Sequence, residues 1–322
     1  MSGVNQSFAS TVKEELLSRK RDGMLAKAEL SGIFKSAGSI IMRQNQYILK
    51  IESENSKLAR YVFQQVKMLY GISSKITVSQ SMKLYKNYRY SIEVSENVTF
   101  IMDDLQLYKN SSLMIHPDKE LLQGDEHVRS YICGVFLASG SVNSPESSNY
   151  HLEMAFTDAE YAKYITKINK SSYDFEFKII KRRNSFVVYM KKSDQIVDFL
   201  ILIGATNSVL YFENERATRD FTNNYNRLNN CLIANELKSI ANATEQIRLF
   251  KLLDERVGIK NIDERLRDIA YLRMENEESS LSDLADKYFD KTGLSLSKSG
   301  VNHRLQAIEK LARNLIGGSE RQ

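Results

Sequence analysis

The chain has 322 residues, 42% of them hydrophobic and 26% charged; that length and balance suit two or three folded domains and exclude collagen-like, mucin-like or wholly disordered chains. Two cysteines, Cys133 and Cys231, exclude a disulfide framework and a four-cysteine zinc site, and four scattered histidines (His116, His127, His151, His303) lack metal-ligand spacing. The formal net charge of +5 permits an anionic partner without demanding one.

Residues 7–20 read as an amphipathic helix with Phe8, Val12 and Leu16 on one face. The stretch Leu30-Ser31-Gly32-Ile33-Phe34-Lys35-Ser36-Ala37-Gly38-Ser39 then recurs 102 residues later as Ile132-Cys133-Gly134-Val135-Phe136-Leu137-Ala138-Ser139-Gly140-Ser141. The segments downstream of the two copies keep the same phase. After the first copy come a strand over 47–52, a helix over 57–70, a hairpin over 75–94 and a short helix over 98–107. After the second come a strand over 150–156, a helix over 158–169, a hairpin over 175–191 and an apolar helix over 194–203. A period this long implies two pseudo-symmetric halves. The apolar run Ile196–Ile203 contains Asp198 and falls far short of the roughly 20 residues of a membrane span. A buried helix, no membrane partner and a cytoplasmic location are expected.

Five asparagines (Asn223, Asn224, Asn226, Asn229, Asn230) lie where apolar periodicity weakens. Asparagine favours turns, so residues 211–225 are read as a linker. The expected organisation is an N-terminal helix over 1–24, a duplicated α+β domain over 25–210 with repeats at about 25–110 and 127–210, and an all-α domain over 226–322.

Each repeated helix carries an interior glycine, which costs roughly 1 kcal/mol. Close helix–helix approach at Gly32 and Gly134 compensates that cost, and Gly38 and Gly140 are expected to cap the helices in the left-handed conformation. The hairpins supply charge. Residues 178–192 hold Lys178, Lys181, Arg182, Arg183, Lys191 and Lys192 with no acid; residues 75–90 hold Lys75, Lys83, Lys86 and Arg89 with no acid. Equivalent basic strands in two halves point to phosphate contact. Alternation of Ile76, Val78, Met82 and Leu84 with polar residues predicts that one hairpin face packs inward.

Residues 261–316 read as three helices. The second begins Ser280-Leu281-Ser282-Asp283, a capping signature. The third has a core stripe of Val301, Leu305, Ile308, Ala312 and Leu315, with Lys298, Ser299, Asn302, His303 and Gln306 on its outer surface. Residues 261–290 carry four basic and nine acidic side chains, and residues 291–322 six and two, so positive charge gathers on the third helix. This resembles a helix-turn-helix whose last helix reads DNA, with Asn302 and Lys298 within reach of base edges; a protein-binding three-helix bundle is the plainer alternative.

The repeated glycine motif resembles that of the LAGLIDADG homing endonucleases over about residues 25–205. In that family each motif helix ends in a metal-binding acid. The resemblance places those positions at Ala37 and Ser139, neither a carboxylate, and Glu29 stands about two turns from the helix end. It therefore implies no metal, no catalytic residue and no cofactor. Ser7-Phe8-Ala9-Ser10-Thr11-Val12-Lys13-Glu14-Glu15-Leu16, Asn226-Arg227-Leu228-Asn229-Asn230-Cys231 and Leu296-Ser297-Lys298-Ser299-Gly300-Val301-Asn302-His303-Arg304-Leu305 together resemble the bacterial WhiA family over nearly the whole chain. That resemblance implies a nucleoid-associated, DNA-binding transcription regulator tied to sporulation, cell division and chromosome segregation. It adds Arg304 to the candidate DNA contacts, and RNA polymerase or other transcription or division proteins as candidate partners. The competing readings are a residual Mg²⁺-dependent endonuclease, an RNA-binding or splicing-helper protein, and a purely protein-binding adaptor.

Overall fold

The structure, a computed structural model, describes residues 7–21, 23–80, 88–109 and 112–319. Contacts divide the chain into two compact units that meet in sequence at Asp220–Phe221.

The first unit is α+β. It opens with α1 (Phe8–Leu17), whose Phe8, Val12 and Leu16 are buried as the periodicity predicts. Repeat one runs α2 (Gly23–Ala37), β1 (Gly38–Arg43), β2 (Gln46–Ser53), α3 (Ser56–Tyr70), β3 (Lys75–Gln80), β4 (Tyr88–Val94) and α4 (Val98–Asp104). A small ladder of β5 (Tyr108–Lys109) and β6 (Ser112–Leu113) comes next. Repeat two runs α5 (Asp125–Ser139), β7 (Gly140–Val142), β8 (Leu152–Phe156), α6 (Ala159–Tyr173), β9 (Lys178–Arg182), β10 (Ser185–Met190) and α7 (Ser193–Ile203). The two four-stranded antiparallel sheets have equivalent orders, β1-β2-β4-β3 and β7-β8-β10-β9. Helices α3 and α6 start on equivalent caps: the side chains of Asn55 and Asp158 accept from backbone amides of the first turn.

Within the repeats, two features differ from the sequence-based expectation. Each motif helix runs directly into a further strand, β1 or β7, so Gly38 and Gly140 are not left-handed caps; Gly140 is extended at φ −84° and ψ 154°, and Gly38 opens β1 outside the positive-φ set. Their smallness serves space instead. A Cβ on Gly38 would lie 2.3 Å from the Phe34 carbonyl oxygen, and one on Gly140 2.2 Å from the Phe136 ring. Strand β3 is exposed throughout. It is an edge strand, and α3 packs on β2 and β4, so Ile76 and Val78 remain 42% and 53% exposed where the alternation predicts inward packing. Met82, Leu84, Lys83 and Lys86 lie outside the described residues.

Helix α8 (Thr206–Arg256) runs 51 residues through the asparagine-rich segment. Residues 211–225, read as a linker, are helical, because nothing in the segment breaks a helix: it holds neither Gly nor Pro. An asparagine in a helix costs only about 0.7 kcal/mol. Both ends are anchored, Val209 and Phe212 in the first core and Leu249, Phe250 and Leu253 in the second, so the helix propagates cooperatively between them. Glu15 caps its start, accepting from the amides of Asn207 and Ser208 at 2.7 and 2.8 Å. Long as it is, α8 is polar, and no helix among the described residues is long and apolar enough to cross a membrane.

The second unit is all-α: the C-terminal part of α8, then α9 (Glu264–Glu275), α10 (Leu281–Thr292) and α11 (Lys298–Ser319). The Ser280–Asp283 capping box forms in both directions. Gly293, left-handed at φ +72°, ends α10. The Ser297 hydroxyl accepts from the Gly300 amide at 3.1 Å, leaving a short connection of Gly293–Ser297 between α10 and α11. Val301, Leu305, Ile308 and Ala312 of α11 are fully buried.

Candidate nucleic-acid interface

The motif helices meet through their glycines. A Cβ on Gly32 would lie 2.3 Å from the Tyr131 carbonyl oxygen, and one on Gly134 2.0 Å from that of Glu29. Residues 29 and 131 are themselves related by the repeat offset, so the contact is reciprocal. Only glycine permits it, since backbone on the far side has nowhere to move.

The C-terminal ends of these helices do not suit a divalent cation. Ala37 offers no ligand atom, and Ser139 Oγ donates to the Val135 carbonyl at 2.8 Å. Lys35, close before Ala37 in the motif, brings a cation that bonds to the Met114 carbonyl; burial lowers its pKa. Glu29 is buried, with Oε2 2.8 Å from Arg21 Nε and Oε1 accepting from the Tyr61 hydroxyl at 2.6 Å. Asp158 is occupied as the cap of α6. Among the described residues no three His, Cys, Asp or Glu gather to share an ion. Hard cations need several anionic oxygens, and among the described residues this end of the helix pair presents only Asp158, beside the Lys35 cation.

The sheets supply the charge. Residues directly paired across antiparallel strands share a face. In the second sheet Phe186 and Val188 face the core, so Lys181, paired with Phe186, lies on the helix side, its Nζ 6.0 Å from the Phe186 ring. The open face carries Lys178, paired with Tyr189, and Arg182, paired with Ser185. Arg182 is 3.5 Å from Glu153, whose carboxylate also meets His151 Nε2 at 2.9 Å. His151 stacks on Tyr189, and Lys191 reaches over the same ring. Arg183 sits at φ +54° in the turn, its side chain exposed. Lys192 is paired with Glu176 at 2.5 Å. The six cations predicted as one patch are therefore divided among two faces, the turn and a salt bridge. In the first sheet the open face carries Arg43, Lys50, Lys75 and Arg89 against Glu52 and Glu93. Glu52 draws in Lys50 at 2.7 Å and Arg89 at 3.4 Å. Arg43 and Lys50 come from β1 and β2, outside the acid-free run that marks the hairpin; strand register is the signal that reveals them.

In the second unit, helical phase over the buried stripe of α11 sorts its candidates. Ser299, His303 and Gln306 are exposed and point directly away from the core, and Lys310 continues their row. Lys310 lies outside the sequence-predicted set, although its i+4 spacing from Gln306 marks it. Lys298 is exposed on one flank and Asn302 is half-buried beside it. Arg304 lies on the other flank, where its guanidinium donates to the Arg265 carbonyl at 3.1 Å and the Tyr288 hydroxyl at 2.8 Å and stacks over the Tyr288 ring. Its first task is to tie α11 to α9 and α10.

Comparison with known proteins agrees with this architecture. Family models match in order: the WhiA N-terminal LAGLIDADG-like domain over residues 24–108, the WhiA LAGLIDADG-like domain over 128–222 and the WhiA C-terminal HTH domain over 225–312. The probable cell division protein WhiA of Staphylococcus aureus strain JH9 is 38% identical over 314 residues, covering 98% of this chain and 99% of its own; the protein of strain Newman matches equally. Among solved structures, full-length DUF199/WhiA from Thermatoga maritima superimposes with a TM-score of 0.57 at 23% identity, over 96% of this chain and 98% of its own, a likeness of fold. The chain, two LAGLIDADG-like halves followed by a helix-turn-helix domain, belongs to the WhiA family.

Proposed function

We propose that the chain is a sequence-specific DNA-binding transcription regulator that acts in cell division, chromosome segregation or sporulation, without nuclease activity. The observation that carries the reading is α11: a buried apolar stripe holds the helix in a three-helix core while Ser299, His303, Gln306 and Lys310 project from its opposite face. A helix so mounted can enter the major groove, where phosphate contacts set register and side chains meet base edges. The cationic open sheet faces support a second, sequence-independent contact to duplex phosphates. The relatives' designation as probable cell division proteins supports the process, and a nucleoid-associated location follows from the activity. Ala37 and Ser139 support the absence of metal-dependent cleavage.

Selection of duplexes from a random pool by the full chain, followed by gel shifts on the selected site, tests this. Lys298→Ala, Asn302→Ala, His303→Ala and Gln306→Ala are each expected to weaken specific binding, by about 1–3 kcal/mol for any residue that reads a base, with non-specific binding little changed. Supercoiled plasmid is expected to stay intact with Mg²⁺ or Mn²⁺. Failure to enrich any sequence, or equal competition by structured RNA, overturns the proposal.

A further inference from the structure

Within the second unit a groove of about 990 Å³ opens between the C-terminal part of α8 and the start of α10. Its floor is one face of α8. Leu232, Ile240 and Ile247 lie on that face at helical spacing and pass from solvent into the core: Leu232 is 58% exposed, Ile240 51%, and Ile247 is buried. Its rim is acidic. Glu236 rises from the floor helix, and Glu277 and Glu278 come from the connection before α10. Glu277 has a distant cation, Lys251 at 3.7 Å. Glu236 and Glu278 are exposed and make no ion pair among the described residues. Asp283 also lines the groove, but its carboxylate is held by the capping box.

Exposed apolar side chains beside free carboxylates disfavour a phosphate backbone, which carboxylates repel, and favour a cation-bearing apolar ligand. The exposed floor also has the wrong sign for anionic lipid. From Leu232, which extends the face about one turn beyond the groove, to Ile247 this face of α8 spans about 22 Å at 1.5 Å per residue, the length of about four helical turns. We propose that this groove docks an amphipathic helix of a partner protein, its apolar residues at i, i+4 and i+7 seated on Leu232 and Ile240 and its flanking lysines or arginines paired with Glu236 and Glu278. The assignment is independent of the DNA-binding reading. It gives the acidic side of the second unit a protein ligand, while α11 carries the positive charge.

The test uses the full chain and two fluorescein-labelled 18-residue peptides of identical Leu, Lys and Ala composition, one with leucines at helical spacing and one with that spacing scrambled. Anisotropy titration is expected to show the amphipathic peptide binding at least tenfold more tightly than its isomer. The double variant Leu232→Ser/Ile240→Ser is expected to remove that preference. Glu236→Gln/Glu278→Gln, which leaves the apolar floor intact, is expected to weaken binding several-fold and flatten its salt dependence. Circular dichroism checks that each variant is folded, and the two pairs act on separate parts of the site. Equal binding of both peptides, or binding unaffected by either pair, overturns the proposal. So does sedimentation showing that the wild-type chain self-associates and the Leu232→Ser/Ile240→Ser chain does not, since the occupant is then a second copy.

Discussion

At Gly32 and Gly134 the two repeats of the first unit behave alike, each admitting the partner helix's backbone; one turn earlier, at Glu29 and Tyr131, they do not. Glu29 is a buried carboxyl held by Arg21 and Tyr61. Its counterpart Tyr131 is fully buried and shares a hydroxyl contact of 2.9 Å with Tyr161. Space at the pseudo-twofold seam is a constraint on both helices together, so a substitution in either repeat strikes the other. The polar group one turn away needs only some partner of its own, and the repeats have found different ones: an ion pair in the first, a tyrosine pair in the second. The repeats share the sterics of the seam and differ in the chemistry beside it.

The sharpest way to break this comparison is to fill the seam. Gly134→Ala places a methyl against the Glu29 backbone, and Gly32→Ala places one against Tyr131. Neither obstacle is the end of a flexible side chain. Each substitution is expected to cost about 3 kcal/mol or more of stability, at the upper end of overpacking effects, and to be read as a large fall in urea midpoint. If either alanine is tolerated, the helices do not approach backbone to backbone, and the shared half of the comparison fails.

The next effect concerns the half that differs. Burial raises the pKa of Glu29 above its ordinary 4.5, against the opposing pull of Arg21 and the Tyr61 hydroxyl. The folded carboxyl therefore keeps its proton to higher pH than the unfolded one. The contribution this gives to stability is full below about pH 4.5 and declines as pH rises through the folded value, by at most about 1.4 kcal/mol per pH unit. Glu29→Gln has no such proton to lose. The stability of the wild-type chain minus that of Glu29→Gln is expected to fall as pH climbs from 4.5 towards 8 in parallel urea titrations. A difference that rises with pH means the ion pair with Arg21 outweighs burial. The tyrosine pair of the second repeat offers no counterpart below pH 8, because burial pushes the pKa values of both hydroxyls up.

Legibility in the sequence divides along the same line. The repeated motif, the seam glycines, the burial of α7 and the core stripe of α11 are readable because each is a periodic or local pattern that packing enforces. Strands β1 and β7 are hidden because each continues its motif helix without an intervening turn signal. The asparagines of α8 mislead because turn preference is worth less per residue than a helix anchored at both ends. The position of Arg304 within its motif suggests DNA, and only tertiary contact shows it turned towards Tyr288. Least legible are the sheet faces. Acid-free runs mark where charge is concentrated, but register decides which side of the sheet each cation occupies.

The smallest and most discriminating effect is expected on those faces. If they hold duplex DNA, Lys178→Ala/Arg182→Ala is expected to lower non-specific affinity on any sequence and to reduce the salt slope by about two, one for each lost phosphate contact. Lys75→Ala/Arg89→Ala is its counterpart in the first sheet. It is expected to act to a similar degree, because Arg89 spends charge on Glu52 at 3.4 Å much as Arg182 does on Glu153 at 3.5 Å. Lys181→Ala removes a cation from the same acid-free strand, but from the side of the sheet that bears Phe186. It should leave both affinity and slope almost unchanged in titrations over a range of NaCl. Equal losses at Lys181 and at its neighbours would mean that DNA senses the hairpin as an undivided cloud of charge, and that the alternation of the strand has no part in binding.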